Sequence, residues 1–406
     1  MAHPPPVPLA WRNLAHDKVR FALFASGIGF AVVLMGVQYG IMNAMLDSNT
    51  VLIRRLKCEL VLVNPNKSAL MFPEGVSRRR IEQALGVPGV ASVAPVYLEY
   101  SAAQMRHTAS DPARRTNTRR VRVIGVDPAA DVLDLPGVTA AEWQALQTPG
   151  TALYDRKSRP HPDGTNHPGE SVFGTLAAGT RTELAGREIV LVGGFEMGFD
   201  FSTDGSLVVS DRTFERWVRE PYYPTSPTAE ADLGCVKLAP GADPDDVRAA
   251  LRAKFAAEGD VLVLTRDELV SREKRFWWTN TPIGFAFGAG VVLGFIVGMV
   301  ICYQILASDV ADHLPEYATL KAIGYTNRYL SWVVLQESLI LAAGGFVPGM
   351  AVTYGTYLLL THVTGLPLTL TPGRFALVLG LTVVMCAASG MMAVGKVKQV
   401  DPADVF

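Results

Sequence analysis

Residues 390–397 read G-x-x-x-x-G-K-V, one position short of the loop that cradles the phosphates of ATP. In such a loop backbone N–H groups hold the phosphates, the lysine reaches the outer ones and a closing Ser or Thr hydroxyl binds magnesium. Val397 stands where that hydroxyl is needed, and Gly390, Gly395 and Lys396 end an apolar run instead of joining a strand to a helix. No nucleotide site is expected here, so any ATP is hydrolysed by another chain. His161, Asp163 and His167 carry metal-ligating groups, but Pro160, Pro162, Gly164 and Pro168 among them describe a polar loop. Neither G-x-S-x-G nor H-E-x-x-H occurs. The chain is therefore not read as an enzyme, and neither a metal nor a cofactor is expected in it. Cys58, Cys235, Cys302 and Cys386 lie far apart with no C-x-x-C spacing, and the last two fall in apolar runs. Cys58 and Cys235 fall in a segment placed below outside the cytoplasm; two free buried thiols is the reading adopted, with an oxidised pair as its alternative.

With so little side-chain chemistry, the elements themselves carry the argument. The hydrophobic fraction of 49% points to a membrane, and a formal net charge of -1 gives no reason to expect nucleic acid as a partner. Residues 21–42 are uncharged and apolar. As a helix they reach about 33 Å, the thickness of the hydrocarbon layer. A cleavable leader would have a shorter apolar core and an A-x-A-like site, which this segment lacks. Further spans are expected at 283–307, 331–360 and 374–395, the third kinked at Pro348-Gly349. Glu337, near the first end of the third span, is expected either to snorkel to the interface or to bond a neighbouring helix. Gly27, Gly29, Gly36 and Gly40 give the first span small residues for close helix approach, within this chain or to another.

Between the first two spans, residues 44–280 change texture to polar sequence broken by short apolar runs at 60–63, 121–126, 189–192 and 207–209. That is a folded mixed α/β domain. Asp243-Pro244-Asp245-Asp246 has the form of a helix start, with a capping side chain, proline at the first position and acids near the positive helix end. Thr265 and Glu268 form a T-x-x-E capping box. The helix it opens carries Arg272, Arg275, Trp277 and Trp278 toward the second span, with the tryptophan rings suited to a membrane interface and Pro282 as a kink or a break. Such a helix would link the outer domain mechanically to the membrane.

The fold class is thus a multi-pass membrane protein with four transmembrane α-helices and a large mixed α/β extracytoplasmic domain between helices 1 and 2. Arg12, Lys18 and Arg20, then Lys321 and Arg328, then Lys396 and Lys398 mark the cytoplasmic side. Residues 1–20 then form an amphipathic cytoplasmic helix before the first span, 308–330 a cytoplasmic loop, 361–373 a short outer loop and 396–406 a cytoplasmic tail. Arg54, Arg55, Lys57, Arg272, Lys274 and Arg275 lie on the outer side against this bias. Long domains translocate despite such charge. Within the loop, residues 314–324 make a short helix with a glycine stop, on which Tyr317, Leu320 and Ile323 are spaced to share a face.

One span, a domain of over two hundred residues and three spans resemble the MacB/FtsX superfamily of ABC permeases, and local motifs agree. Residues 8–14, PLAWRNL, with Lys18-Val19-Arg20 are similar to that family's helix before the first span. Glu316-Tyr317-Ala318-Thr319-Leu320-Lys321-Ala322-Ile323-Gly324 resembles its E-x-x-x-L-K-A-x-G motif. Leu335-Gln336-Glu337-Ser338, residues 344–349 and the tail 400–405 fit as well. Within the superfamily the chain is most similar to the DevC type. The resemblance implies that Glu316 to Gly324 couple to an ABC ATPase subunit, which would bring the ATP and magnesium. Glu268, Arg272, Arg275, Trp277 and Trp278 would lie on a transmission helix. It further implies a second permease copy, a periplasmic membrane-fusion adaptor, an outer-membrane channel beyond it, and a bacterial inner-membrane location with cytoplasmic termini. Export of an amphipathic cargo such as a glycolipid, a peptide or a small toxic compound is the function expected. An FtsX-like signal transmitter controlling a cell-wall hydrolase, or a lipoprotein-release permease, are the alternatives.

Overall fold

A computed structural model describes residues 18–108, 117–161, 170–220, 230–323 and 325–398 of the 406-residue chain. The motif at 8–14, Asp163 and His167, Gly324 and the tail at 400–405 lie outside the described residues. The chain divides into two compact units, one made of the long apolar helices and the other of residues 45–281 with 364–367.

Helix α1, Lys18–Arg54, carries the first apolar run and continues well past Met42 into the inserted domain. There follow β1 Leu60–Val63, β2 Val76–Ser77, α2 Arg78–Ala84, β3 Val90–Glu99, β4 Gln104–Arg106, β5 Thr118–Arg120 and β6 Arg122–Val126. Next come α3 Ala140–Ala145, β7 Thr151–Asp155, β8 Arg181–Leu184, β9 Arg187–Phe195, β10 Ser206–Ser210 and α4 Asp211–Phe214, which runs on as a π-helical turn over Glu215–Arg219. The domain closes with β11 Glu230–Ala231, β12 Leu233–Leu238, α5 Pro244–Phe255, β13 Leu262–Thr265 and α6 Arg266–Thr279. The remaining helices, of the unit made of the long apolar helices, are α7 Pro282–Asp312, α8 Leu314–Ile323, α9 Asn327–Thr364 and α10 Pro372–Lys398.

The inserted domain is built on one sheet of order β13-β1-β12-β3-β6-β10-β7-β9-β8-β4-β5, with β2 and β11 paired apart from it. Pairing is antiparallel except at β6/β10 and β7/β9, where the chain crosses over between parallel strands. Side chains alternate across the sheet, so each strand feeds two cores. Leu60 and Leu62 face a core with Ile81 of α2, Phe214 of α4 and Leu251 and Phe255 of α5. Val61 and Val63 face the other, filled by Leu52 and Ile53 at the end of α1, by Leu56 just after it and by Leu269 and Val270 of α6. The four apolar runs at 60–63, 121–126, 189–192 and 207–209 all fall on strands that cross this sheet. The helix start at Asp243 forms as its residues dictate: the Asp243 carboxylate accepts from the Asp245 amide and Pro244 opens the helix.

Among the described residues, four helices are long and apolar enough to cross a membrane: Phe21–Arg54, Pro282–Asp312, Arg328–Thr364 and Pro372–Gly395. The glycines of α1 fit this chain's own helices. A Cβ at Gly29 would meet the Gly345 carbonyl, one at Gly36 would meet Thr353 and one at Gly27 would meet Ile301. The Tyr357 hydroxyl donates to the Gly36 carbonyl at 2.5 Å, a contact that needs backbones brought close by small residues. Ile28, Met35, Cys302, Phe346, Met385 and Cys386 fill the bundle interior. Large apolar side chains such as Phe285, Leu293 and Val363 stay exposed, as suits surfaces that meet hydrocarbon. Glu337 is fully buried in the bundle and engaged in an interaction there, so it does not snorkel outward. Residues 390–397 lie inside α10 and offer helix, not a phosphate-cradling loop.

Candidate functional site

Two elements singled out by the sequence bear on function, and each is described within its own unit. The first is α8, between α7 and α9. His313 leads into it, its backbone carbonyl accepting from the Glu316 amide at 3.1 Å. The Thr319 hydroxyl bonds back to the Pro315 carbonyl at 2.8 Å, and the Tyr325 amide closes the end on the Leu320 carbonyl. Glu316 and Thr319 are exposed, and Ile323 is 71% exposed. Leu320 instead is half-buried against the bundle core. Positions three apart on a helix stand about 60° from each other, so Leu320 can pack inward while Ile323 points out. The shared apolar face expected for this pair is therefore split: Leu320 anchors the helix and Ile323, with Glu316, is presented. Backbone positions of Tyr317, Ala318, Lys321 and Ala322 are helical; Gly324 lies outside the described residues.

The second element is α6. Its capping box forms: Glu268 N donates to the Thr265 hydroxyl at 3.2 Å and Thr265 N to the Glu268 carboxylate at 2.9 Å. The backbone amide holds the Glu268 carboxyl below the usual range, helped by Arg248, which donates to it at 2.9 Å. Further along, successive side chains grip separate segments. Arg272 donates to the Pro65 and Lys67 carbonyls, both at 2.8 Å. Glu273 accepts from the Leu70 amide at 2.9 Å and from the Trp277 indole at 2.8 Å. Lys274 pairs with Asp47 of α1 at 2.6 Å. The rings of Phe72, Phe276, Trp277 and Phe201 meet edge to face in series.

This corrects the interfacial role expected for both tryptophans. Trp277 is 4% exposed in the inserted domain, with its N–H spent on Glu273, and only Trp278 is exposed. Adjacent residues on a helix differ by about 100°, which turns one ring inward and the other out. Arg275 is exposed like Trp278. Helix α6 does not run unbroken into α7. It stops at Thr279, Asn280 caps it with φ −109, and α7 begins at Pro282. Proline has no N–H to continue the ladder and disfavours a helical residue before it, so the break falls where Pro282 puts it.

Residue type alone did not mark the loop that α6 grips. Lys67 is buried and pairs with Asp232 at 2.9 Å while also donating to the Phe72 and Glu74 carbonyls. The other oxygen of Asp232 accepts from the Leu98 amide at 2.7 Å, which ties the loop to β3. Burial pushes the Asp232 carboxyl up, and the Lys67 ammonium only partly offsets it. Beside this pair, Met71, Phe72, Leu98, Tyr100 and Arg219 line a cavity of about 110 Å³. A single Lys in a polar run, 165 residues from its Asp, leaves no spacing signal. Cys58 and Cys235 are both free and buried.

The family model of the MacB-like periplasmic core domain matches residues 21–254, and that of the FtsX-like permease C-terminal matches residues 288–402. No curated protein matches the chain. Among solved structures, the periplasmic region of MacB from Actinobacillus actinomycetemcomitans is similar at 12% identity, covering 53% of this chain and 92% of that one with a TM-score of 0.36. The extracellular domain of the noncanonic ABC-type transporter YknZ from Gram-positive bacteria is similar at 12% identity, covering 51% and 99% with a TM-score of 0.32. The family matches take in the first apolar helix and most of the inserted domain, then the later three apolar helices. The chain belongs to the MacB/FtsX superfamily of ABC permeases, as a non-enzymatic membrane-spanning member.

Proposed function

We propose that this chain is the permease subunit of an ABC exporter of the MacB/DevC kind. It sits in the bacterial inner membrane with both termini in the cytoplasm, and ATP and magnesium are bound by a separate ATPase subunit. Helix α8 docks on that ATPase through Glu316 and Ile323. The inserted domain works outside the cytoplasm with a membrane-fusion adaptor and, beyond it, an outer-membrane channel, and two permease copies form the membrane part. ATP-driven motion at α8 passes through the spans to α6 and shifts the outer domain, which pushes an amphipathic cargo outward: a glycolipid, a peptide or a small toxic compound.

The observation that supports this reading most is the way α6 is held. A helix that leads to a membrane span and is held to separate parts of the outer domain by bonds at Arg272, Glu273 and Lys274 and by ring packing at Phe276 is suited to passing motion as a rigid body. The test is to purify the tagged chain in mild detergent and identify its companions by mass spectrometry. An ATPase together with a membrane-fusion adaptor is the expected result. An ATPase with a cell-wall hydrolase or its activator would replace export by FtsX-like signal transmission, and absence of any ATPase would overturn the proposal. In the assembled complex, Ile323→Asp and Glu316→Lys are expected to lower permease stimulation of ATP hydrolysis about tenfold, the effect of losing one well-placed interface contact. Normal stimulation by both variants would refute docking at α8.

A further inference from the structure

We propose that Glu273 is a proton-binding site that positions α6, docking the helix on the inserted domain when protonated and loosening it when ionised. Glu273 is 3% exposed and, beside Arg272, is a point where α6 meets the loop between β1 and β2. Its two oxygens face two donors, the Leu70 amide and the Trp277 indole, which are neutral.

The charged groups around it are committed elsewhere. On the loop, Lys67 is taken by Asp232 and by the Phe72 and Glu74 carbonyls. On α6 itself, Arg272 is held by the Pro65 and Lys67 carbonyls and Lys274 by Asp47 of α1. On the loop after β9, Asp200 accepts from Arg122, Ser202 and Thr203 and contributes only further negative charge. Among the described residues, no cation is bonded to Glu273 to replace its lost hydration. Burial accordingly pushes its carboxyl up from 4.5 to about 7, against smaller opposing effects of Trp277, Leu70 and Lys67.

The sign follows from linkage. A carboxyl that binds its proton more tightly when buried than when exposed makes the proton a ligand of the docked state. Docking is favoured at low pH, and the advantage is lost as pH rises from 4.5 toward about 7. For that pair of values the ratio of docked to undocked helix rises about tenfold between roughly pH 8 and roughly pH 6. The consequence for transport rests on the reading of α6 as a transmission element; the proton site itself does not. A domain outside the cytoplasm meets the pH of the surroundings, so docking would tighten as these acidify.

The experiment is ¹⁹F NMR of the full chain in detergent with 5-fluorotryptophan at its six tryptophans, the Trp277 signal being assigned by its loss in Trp277→Phe. Hydrogen exchange at the Leu70 amide is followed in parallel after correction for intrinsic rates. Expected is a Trp277 titration with its midpoint within about one unit of 7, absent in Glu273→Gln, with about tenfold greater Leu70 protection at pH 6 than at pH 8. Glu273→Asp, which keeps the charge, is expected to restore a titration should the Gln variant fold poorly. A Trp277 signal flat between about pH 5 and pH 9, an unchanged titration in Glu273→Gln, or Leu70 protection independent of pH would each overturn the proposal. Permease-stimulated ATP hydrolysis over the same range separates the two readings. If Trp277 and Leu70 respond as expected while stimulation is unaffected by Glu273→Gln, the proton site stands and transmission through α6 fails.

Discussion

Replacing Lys67 by Met keeps the length and most of the volume of the side chain and removes only its charge and donors. The consequences can be counted from the structure. Asp232, 8% exposed at its side chain, is left as a buried carboxylate whose one remaining bond among the described residues is to the Leu98 amide, and the Phe72 and Glu74 carbonyls lose their shared donor. Removing one member of a buried pair costs about 3–5 kcal/mol, because the survivor is stranded without solvent. Asp232 can relieve part of this by taking up a proton, and burial already pushes its carboxyl up. The deficit should therefore be larger at high pH than at low pH. The assay is hydrogen exchange by mass spectrometry on the full chain in detergent, read at peptides covering β3 and β12. An opening free energy lowered by about 3 kcal/mol accelerates exchange by about two orders of magnitude where opening limits it. Lys67→Met with Asp232→Leu should recover part of the loss, since an apolar pair of similar volume replaces a buried ion pair at little cost. Exchange in Lys67→Met within about threefold of wild type at pH 8 would show that the pair does not hold the loop.

In the membrane unit, a Cβ at Gly40 would lie 2.1 Å from the Tyr357 hydroxyl, whereas one at Gly355 would meet nothing within 4 Å. Gly40→Ala is expected to destabilise the bundle by about 1–3 kcal/mol and lower its melting temperature in detergent, with Gly355→Ala leaving it unchanged. Equal melting of the two variants would deny the packing of α1 on α9. Cys58 and Cys235 are each at most 2% exposed, and the Cys235 thiol is pushed well up by hydrogen bonding to Cys58 and by burial. Neither is expected to react with a maleimide in the native chain, and both should react after unfolding; rapid native labelling would refute this.

The sequence made the membrane helices and much of the inserted sheet legible for a simple reason. A span has to be long, apolar and uncharged, and a strand between two cores has to be apolar on both faces; both conditions leave continuous marks. The runs at 60–63 and 207–209 lie on β1 and β10, buried on both sides. Capping was equally plain at Asp243 and Thr265, because it is an arrangement within four residues. Sheet order was not legible. That β12 lies between β1 and β3, or that β10 runs parallel to β6, is decided by contacts across more than eighty residues, which no local pattern records.

The anchor of α6 was hidden for a different reason. Arg272 and Glu273 hold the loop between β1 and β2 almost entirely by its backbone: the Pro65 and Lys67 carbonyls and the Leu70 amide. Backbone partners are the same for nearly every residue type, so Pro65 and Leu70 bear no mark of being gripped. The helix side of the contact does bear one, since a Glu and a Trp four residues apart lie on one face and can bond each other. That face had to be recognised as buried before Trp277 could be separated from Trp278, and burial is a tertiary fact. The same asymmetry locates the sensitivity of the anchor. Substitutions in the loop that spare its backbone path should be tolerated, Lys67 excepted because its own side chain reaches Asp232. Substitutions at Arg272, Glu273 or Trp277 remove the bonds themselves. An anchor built this way depends on one helix face and, Lys67 apart, leaves its counterpart free to vary.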